Sequence, residues 1–272
     1  MEGNLSMQAS IQLTPEPAVR YVLRLADSCL ILAQRLGEWC GHAPVLEEDI
    51  ALTNVALDLV GQSRALLTLA GQLEGRGHDE DQLAFLRDER DYLNLTLVEL
   101  PNSPRGARTG RGDFAFTMLR NFALATLFKL LWQRLLLSSD AELAAIAGKA
   151  LKESRYHQQH SGDWVVRLGD GTAESSRRMQ DALALMWPYV AEMFENDAVD
   201  EQAHQPGLGP RWGDVQADWM TEVTGVLEAA SLEVPKTTAF RSTGKIGRHS
   251  EHMGFILAEM QYLQRAFPGG VW

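Results

Sequence analysis

Two stretches decide how this chain folds: Asn54–Arg64, NVALDLVGQSR, and Lys152–His157, KESRYH. Each lies in a long segment whose apolar residues step by three and four, the period of a helix with one buried face. Around the first, the stripe runs Leu52, Val55, Ala56, Leu59, Val60, Leu66 and Leu67. Around the second it runs Leu143, Ala147, Ala150, Leu151, Ser154, His157, Ser161, Trp164 and Leu168. The two stripes carry the slots Leu59-Val60-Gly61-Gln62 and Ser154-Arg155-Tyr156-His157. A Glu-x-x-His at that spacing sets a carboxylate and an imidazole on one helical face, which is how helical bundles hold a pair of metal ions. Here the slots read Leu…Gln and Ser…His. One neutral histidine cannot offset two cations, which need several charged oxygen ligands. The pattern is that of a metal-binding bundle without its ligand set.

Working outward, Val22, Leu25, Cys29, Leu32 and Leu36 mark another helix, and Phe114, Met118, Asn121, Leu124, Phe128, Leu131 and Leu135 a fourth. Further helices are expected over Asp81–Leu97, from Ser175 to Phe194 with a kink at Pro188, near Trp212–Leu232 and near His252–Phe267. Neither strand-like alternation nor a tandem repeat is present. Breaks fall at Gly75-Arg76-Gly77, at the long basic loop Pro101–Gly112 (PNSPRGARTGRG), at Gly169–Thr172, where Thr172 can cap the next helix, and at Gln205–Pro210. They divide the chain into a flexible N-terminal extension (1–14), a helical bundle (15–204) and a C-terminal helical extension packed on it (205–272). The expected class is all-α, a ferritin-like four-helix bundle core with additional C-terminal helices.

The 272 residues are 45% hydrophobic and 22% charged, which suits a soluble domain with a sizeable core. A net charge of -11 disfavours nucleic acid and anionic membranes as partners. The apolar run Leu127–Leu137 is broken by Lys129 and Arg134, so no membrane span is expected. The first residues lack the basic start and apolar core of a signal peptide. Cys29 and Cys40 have no zinc spacing, and reduced thiols in a cytoplasmic protein are the expectation.

Gln34, Leu59, Gln62, Asn121, Ser154 and His157 are the positions that can converge on the bundle axis. Polar residues on an apolar face are ordinarily satisfied by hydrogen bonds. Gln34, Gln62, Asn121, Ser154 and His157 can form a neutral network without burying carboxylates. Asp58 and Glu153 each precede a slot by one residue, a rotation of about 100°, and are expected to point away. Two other readings compete with a metal-free scaffold. One is a stand-alone di-metal oxygenase using His157, Glu153, Asp58 and Glu192. The other is a metal-free carrier of a small apolar acyl group in the core.

The literal Glu201-Gln202-Ala203-His204, just before Pro206, reads as a solvated helix end. The pairs His157/His160 and His249/His252 share helix faces without enough acidic company for a metal, and Glu38 and His42 can hydrogen-bond. There is no nucleophile elbow, Walker loop or dinucleotide fingerprint. Arg241–Arg248, RSTGKIGR, reads either as a solvated loop or, through Lys245 and Arg248, as an anion contact.

Several blocks together carry a resemblance: RLGEWCGHAP (Arg35–Pro44), NVALDLVGQSR, LAFLRDER (Leu83–Arg90), VELPN (Val98–Asn102), KESRYH, TGKIGRHSEHMG (Thr243–Gly254) and LAEMQYLQRAFPG (Leu257–Gly269). From about Tyr21 onward the chain resembles the PaaC components of the ring 1,2-phenylacetyl-CoA epoxidases of phenylacetate catabolism. The resemblance implies a cytoplasmic, non-catalytic partner of a paralogous catalytic subunit, PaaA, which holds di-iron, with the remaining epoxidase subunits alongside. The catalytic subunit has Glu where this chain has Gln34, Glu-Ala-Gly-His at Leu59–Gln62, Asp at Asn121, and Glu-x-x-His at Ser154–His157. It implies no cofactor in this chain; NADPH, FAD and iron–sulfur belong to a reductase subunit. It also implies CoA-ester contacts, to which Lys245 and Arg248 are assigned. Alone, such a chain is expected to form a homodimer.

Overall fold

The computed structural model describes residues 8–14, 16–103, 112–236 and 239–270. Residues 1–7 of the expected extension and 104–111 of the basic loop lie outside the described residues. In chain order the helices are α1 (Pro17–Gly37), α2 (Leu46–Glu74), α3 (Glu80–Phe85), α4 (Thr96–Glu99), α5 (Phe114–Leu135), α6 (Ala141–Gly169), α7 (Ala173–Met186), α8 (Ala198–His204), α9 (Gln216–Ala229) and α10 (Glu251–Ala266). Among the described residues there is no strand, only an isolated bridge between Thr243 and Arg248.

The helix ends follow local chemistry. Pro17 opens α1, where its missing N–H has no partner to lose. Glu47, Glu48 and Asp49 complement the dipole at the start of α2. Gly75 closes it at φ 70, its N–H bonded to the Gly71 carbonyl. Asp113 and Asp140 cap α5 and α6, and Thr172 caps α7 in a capping box with Ser175.

Short turns make antiparallel hairpins of α1/α2 and α5/α6, while the connection from α2 to α5 crosses over through α3 and α4. α1 packs on α2, α5 on α6, and α2 on α6. Two hairpins and one long crossover are the arrangement of a ferritin-like bundle. The most apolar helix is α5. It is long and apolar enough to cross a membrane, with a mean hydropathy of 1.3, yet 89% of that window is buried within the fold. Its Lys129 leaves the core to pair with Glu222 of α9.

The expected helix over Asp81–Leu97 is broken. Every residue from Tyr92 to Leu100 is buried, so no helical face is left to solvent. Backbone groups there bond to side chains of the core instead: the Leu93 N–H donates to Asp27 Oδ2 at 2.9 Å and the Leu95 N–H to Ser28 Oγ at 3.2 Å. The helix expected through Phe194 ends at Met186. Pro188 and two short 3-10 turns follow it. Residues 8–14 of the expected flexible extension lie against the body, with Gln8 N–H bonded to the Arg265 carbonyl and Ile11 N–H to that of Leu86. The C-terminal elements share one continuous apolar core with the bundle, through Trp212, Trp219, Leu227, Met253 and Ile256.

Candidate functional site

The register of the four long helices brings Leu59, Asn121 and His157 to one place on the axis, together with Leu32, Phe128 and Ser161. The space they enclose is about 10 Å³, roughly the room for one water. Leu59 fills a slot position with hydrocarbon and is 1% exposed. On α1 Leu32 lines the site, and Cys29, one turn before it, brings its Sγ to 3.6 Å from Gln62 Oε1. Gln34 is half-buried and forms no side-chain hydrogen bond to the site.

The expected neutral network does not form. Asn121 Oδ1 and Ser154 Oγ are buried without a hydrogen-bond partner. Gln62 and His157 bond instead to the two carboxylates expected to point away. Gln62 Nε2 donates to Glu153 Oε2 at 2.9 Å, and His157 Nε2 donates to Asp58 Oδ2 at 2.9 Å. A one-residue offset places these carboxylates at the seam between α2 and α6, and their own length carries them across it. His160 also has acidic company, 3.0 Å from Glu48 Oε2, and stacks on Tyr156. Three polar ties thus join α2 to α6 along one edge.

Burial is the largest influence on His157 and holds its imidazole below the usual histidine range, although Asp58 pulls the other way. Burial likewise pushes the Cys29 thiol up, so it stays protonated. The donors at the axis are therefore a neutral imidazole already bonded to Asp58, a second imidazole, His160, bonded to Glu48, a thiol and neutral amides. Among the described residues no three His, Cys, Asp or Glu side chains gather to hold a metal ion. This donor set does not fit a carboxylate-bridged di-metal centre. Glu192, the further ligand of the di-metal reading, is buried elsewhere, accepting from the N–H groups of Thr96 and Lys245 at 3.0 and 2.9 Å and from Ser242 Oγ at 2.6 Å.

Lys245 is not a surface cation. It is 4% exposed. Its Nζ donates to the Glu195 carbonyl at 3.1 Å, pairs with Asp200 at 3.4 Å, and sits 4.7 Å from the Trp212 ring centre. A phosphate could reach it only by unpacking that cluster. Arg248 is exposed. The helix end at Glu201–His204 is solvated as expected, with His204 exposed and Glu201 paired to Arg211. Glu38 bonds Arg35 and Asn102, while His42 bonds the Cys40 carbonyl, so those two do not meet.

Sequence reasoning missed a second polar layer, on the side of α1 turned toward the crossover. Arg24 pairs with Asp197, and with Asp200 at 3.2 Å; its Nε donates to the Lys245 carbonyl at 3.2 Å. Asp27 pairs with Arg87, and the Arg87 guanidinium lies 4.1 Å over the Tyr92 ring. Arg35 donates twice to the Glu99 carbonyl, at 3.0 and 2.6 Å. The Glu99 carboxylate takes His249 Nδ1 at 2.7 Å, the Ser250 N–H at 2.7 Å and Asn94 Nδ2 at 2.9 Å. His249 Nε2 donates to the Tyr92 carbonyl at 2.9 Å, so both ring nitrogens face acceptors. Arg35, Arg87, Glu99, Lys245 and His249 come from four of the sequence blocks that carry the resemblance. Those blocks specify how the crossover and the C-terminal loop lock onto α1. Only the alternation of charged with apolar residues inside α1 hinted at this layer.

The fold and site define an all-α, ferritin-like helical bundle with uncharged side chains on its axis and a cover pinned by buried charge. Residues 5–272 match the family model described as phenylacetic acid catabolic protein, and the chain belongs to that family. It is 48% identical over 252 residues to the C subunit of 1,2-phenylacetyl-CoA epoxidase from Escherichia coli (strain K12), an overlap of 93% of this chain and 98% of the relative.

Proposed function

We propose that this chain is a structural, metal-free subunit of a multicomponent 1,2-phenylacetyl-CoA epoxidase, acting in the cytoplasm beside a catalytic subunit that holds the di-iron centre. The observation that carries this reading is the axis itself: the uncharged Leu59, Gln62, Asn121 and Ser154 are buried there, and the space lined by Leu59, Asn121 and His157 is about 10 Å³. The identity to a relative named as a subunit supports the presence of other subunits. An exposed apolar stripe on α2 supplies a face for one: Leu46, Ile50, Leu57 and Val60 are 71, 53, 63 and 41% exposed, and Tyr156 of α6 is 52% exposed. They recur at helical spacing, and at Gly61 on the same helix an added Cβ would meet nothing within 4 Å.

On this reading the chain's own residues do no redox chemistry. They hold a rigid surface against which the catalytic bundle docks. Electrons reach that bundle from NADPH through a reductase subunit. The acyl-carrier reading is disfavoured, because acyl pockets run to about 300 Å³ or more. The test is iron content and oxygenase activity of this chain purified alone and with the catalytic subunit. Iron and activity confined to the complex are expected. Stoichiometric iron in the isolated chain would overturn the proposal and make ligands of Asp58, Glu153 and His157.

A further inference from the structure

Away from the axis, one cavity gathers positive charge that the fold does not use. It lies between the first turn of α1, the 3-10 turn Glu89–Asp91 and the N-terminal segment, and holds about 210 Å³. Arg20, Arg90, Asp91 and Thr14 form its polar wall, over a floor that includes Leu23 and Leu93. Several other arginines of the fold are spent: Arg24 and Arg87 on buried aspartates, Arg35 on Glu38 and the Glu99 carbonyl, Arg177 and Arg178 on Glu174. Among the described residues neither Arg20 nor Arg90 has a side-chain hydrogen bond or ion pair. Arg20 is half-buried and Arg90 exposed, so both guanidinium groups can be reached from solvent.

The one carboxylate in the wall is engaged elsewhere, since Asp91 Oδ2 accepts the Asp88 N–H at 3.2 Å. By formal charge the wall keeps a surplus of one positive charge, in a chain of net -11. Thr14 gives its N–H to Glu74 at 2.8 Å and keeps a free hydroxyl. The loop Thr243–Arg248 packs directly on this corner: a Cβ at Gly247 would sit 2.3 Å from the Arg90 carbonyl oxygen. Planar guanidinium forks suit phosphate oxygens two at a time, and a leucine floor suits an apolar moiety beside them. We infer that this cavity binds a phosphorylated small molecule, its phosphate oxygens held by Arg20 and Arg90. The inference does not depend on the epoxidase reading, and no iron enters its test.

The test is isothermal titration of the full chain with inorganic pyrophosphate, ADP and coenzyme A, at low and raised salt. It is repeated with Arg20→Gln, Arg90→Gln and, as a control on an exposed arginine of α6, Arg155→Gln. Circular dichroism verifies the fold of each variant. Saturable, salt-sensitive binding is expected. Either cavity substitution should weaken it about tenfold, the loss of one charge-assisted pair, while the control leaves it unchanged. Binding of pyrophosphate as well as coenzyme A means that the phosphates suffice. Binding of ADP or coenzyme A alone means that the organic part adds contact over the leucine floor. No binding of any of the three, or binding unchanged in Arg20→Gln or Arg90→Gln, overturns the inference.

Discussion

His157 of α6 and Asp58 of α2 meet across the helix seam, Nε2 to Oδ2 at 2.9 Å, so this buried imidazole is committed to a carboxylate that is itself 38% exposed at the side chain. Removing that acceptor leaves a buried N–H unpaired. Asp58→Ala should cost about 1 kcal/mol, the modest value reflecting the wet side of the pair. Asp58→Asn, which keeps an acceptor oxygen, should cost less. Urea unfolding at neutral pH measures both, and identical midpoints for wild type and Asp58→Ala would refute the role given to this contact.

Two histidines should tilt stability in opposite directions with pH. His157 is held below its unfolded value, chiefly by burial, so the unfolded chain takes up the proton first and stability falls as pH drops below about 6.5. For His249 burial is again the largest single influence and opposes the charge, but the hydrogen bond and charge of Glu99, with the Tyr92 carbonyl and Glu89, together outweigh it and raise the pKa. Its contribution is complete below the unfolded value and is lost as pH rises through the folded one. His249→Gln should therefore cost most at about pH 5.5 and least at about pH 8, whereas His157→Gln should flatten the acid-side loss. Denaturation midpoints of the two variants across that window decide it.

Returning a carboxylate to the axis should be punished. Leu59→Glu puts a charge where the neighbours are Leu32, Phe128 and a neutral imidazole, at a cost of about 3 kcal/mol or more at neutral pH. The deficit should shrink in acid, where the new group is protonated. Ferrous iron should not restore stability, because the companion ligands are missing. Recovery on adding iron would show that the axis can still hold metal.

The buried ion pairs on α1 should matter more than any axis residue. Arg24→Ala leaves Asp200, whose side chain has no exposure, with Lys245 as its one remaining cation, and deprives Asp197 of its partner. A loss of about 3–5 kcal/mol is expected. Calorimetric unfolding reads it directly; a loss under about 1 kcal/mol would mean that water or repacking replaces the guanidinium.

The apolar stripe on α2 should matter for assembly and not for folding. Leu57→Arg combined with Val60→Arg changes side chains that are 63 and 41% exposed. The stability of the isolated chain should move by no more than about 0.5 kcal/mol. Co-purification with the catalytic subunit should fall sharply. Undiminished co-purification would place the docking face elsewhere.

Periodicity made the four long helices and their crossover legible, because each buries a stripe wide enough to be read at 3.6 residues per turn. It also placed Leu59, Asn121 and His157 together. It misjudged Asp58 and Glu153 because a helical wheel records where Cβ points and not how far a side chain reaches. At the α2/α6 seam, one or two extra bonds decide the contact. Gln34 failed for the opposite reason: the axis-facing register of α1 passes through Cys29 and Leu32, with which Gln34 is out of phase. Lys245 and the broken helix after α3 share one cause. A cation in a glycine-containing loop, and a stretch buried all round, take their structure from partners 45 to 67 residues away in sequence, to which no local pattern refers.

The buried charges of α1 have a consequence for the order of synthesis. Arg24 needs residues 173 and 176 positions downstream, and the carbonyl it also bonds lies 221 positions away. The Arg24 guanidinium on α1 therefore stays unneutralised until α8 has been made. Seating α1 thus waits on two distant segments, α8 and the loop at Lys245, and is a slower, less local step than closing the α1/α2 hairpin.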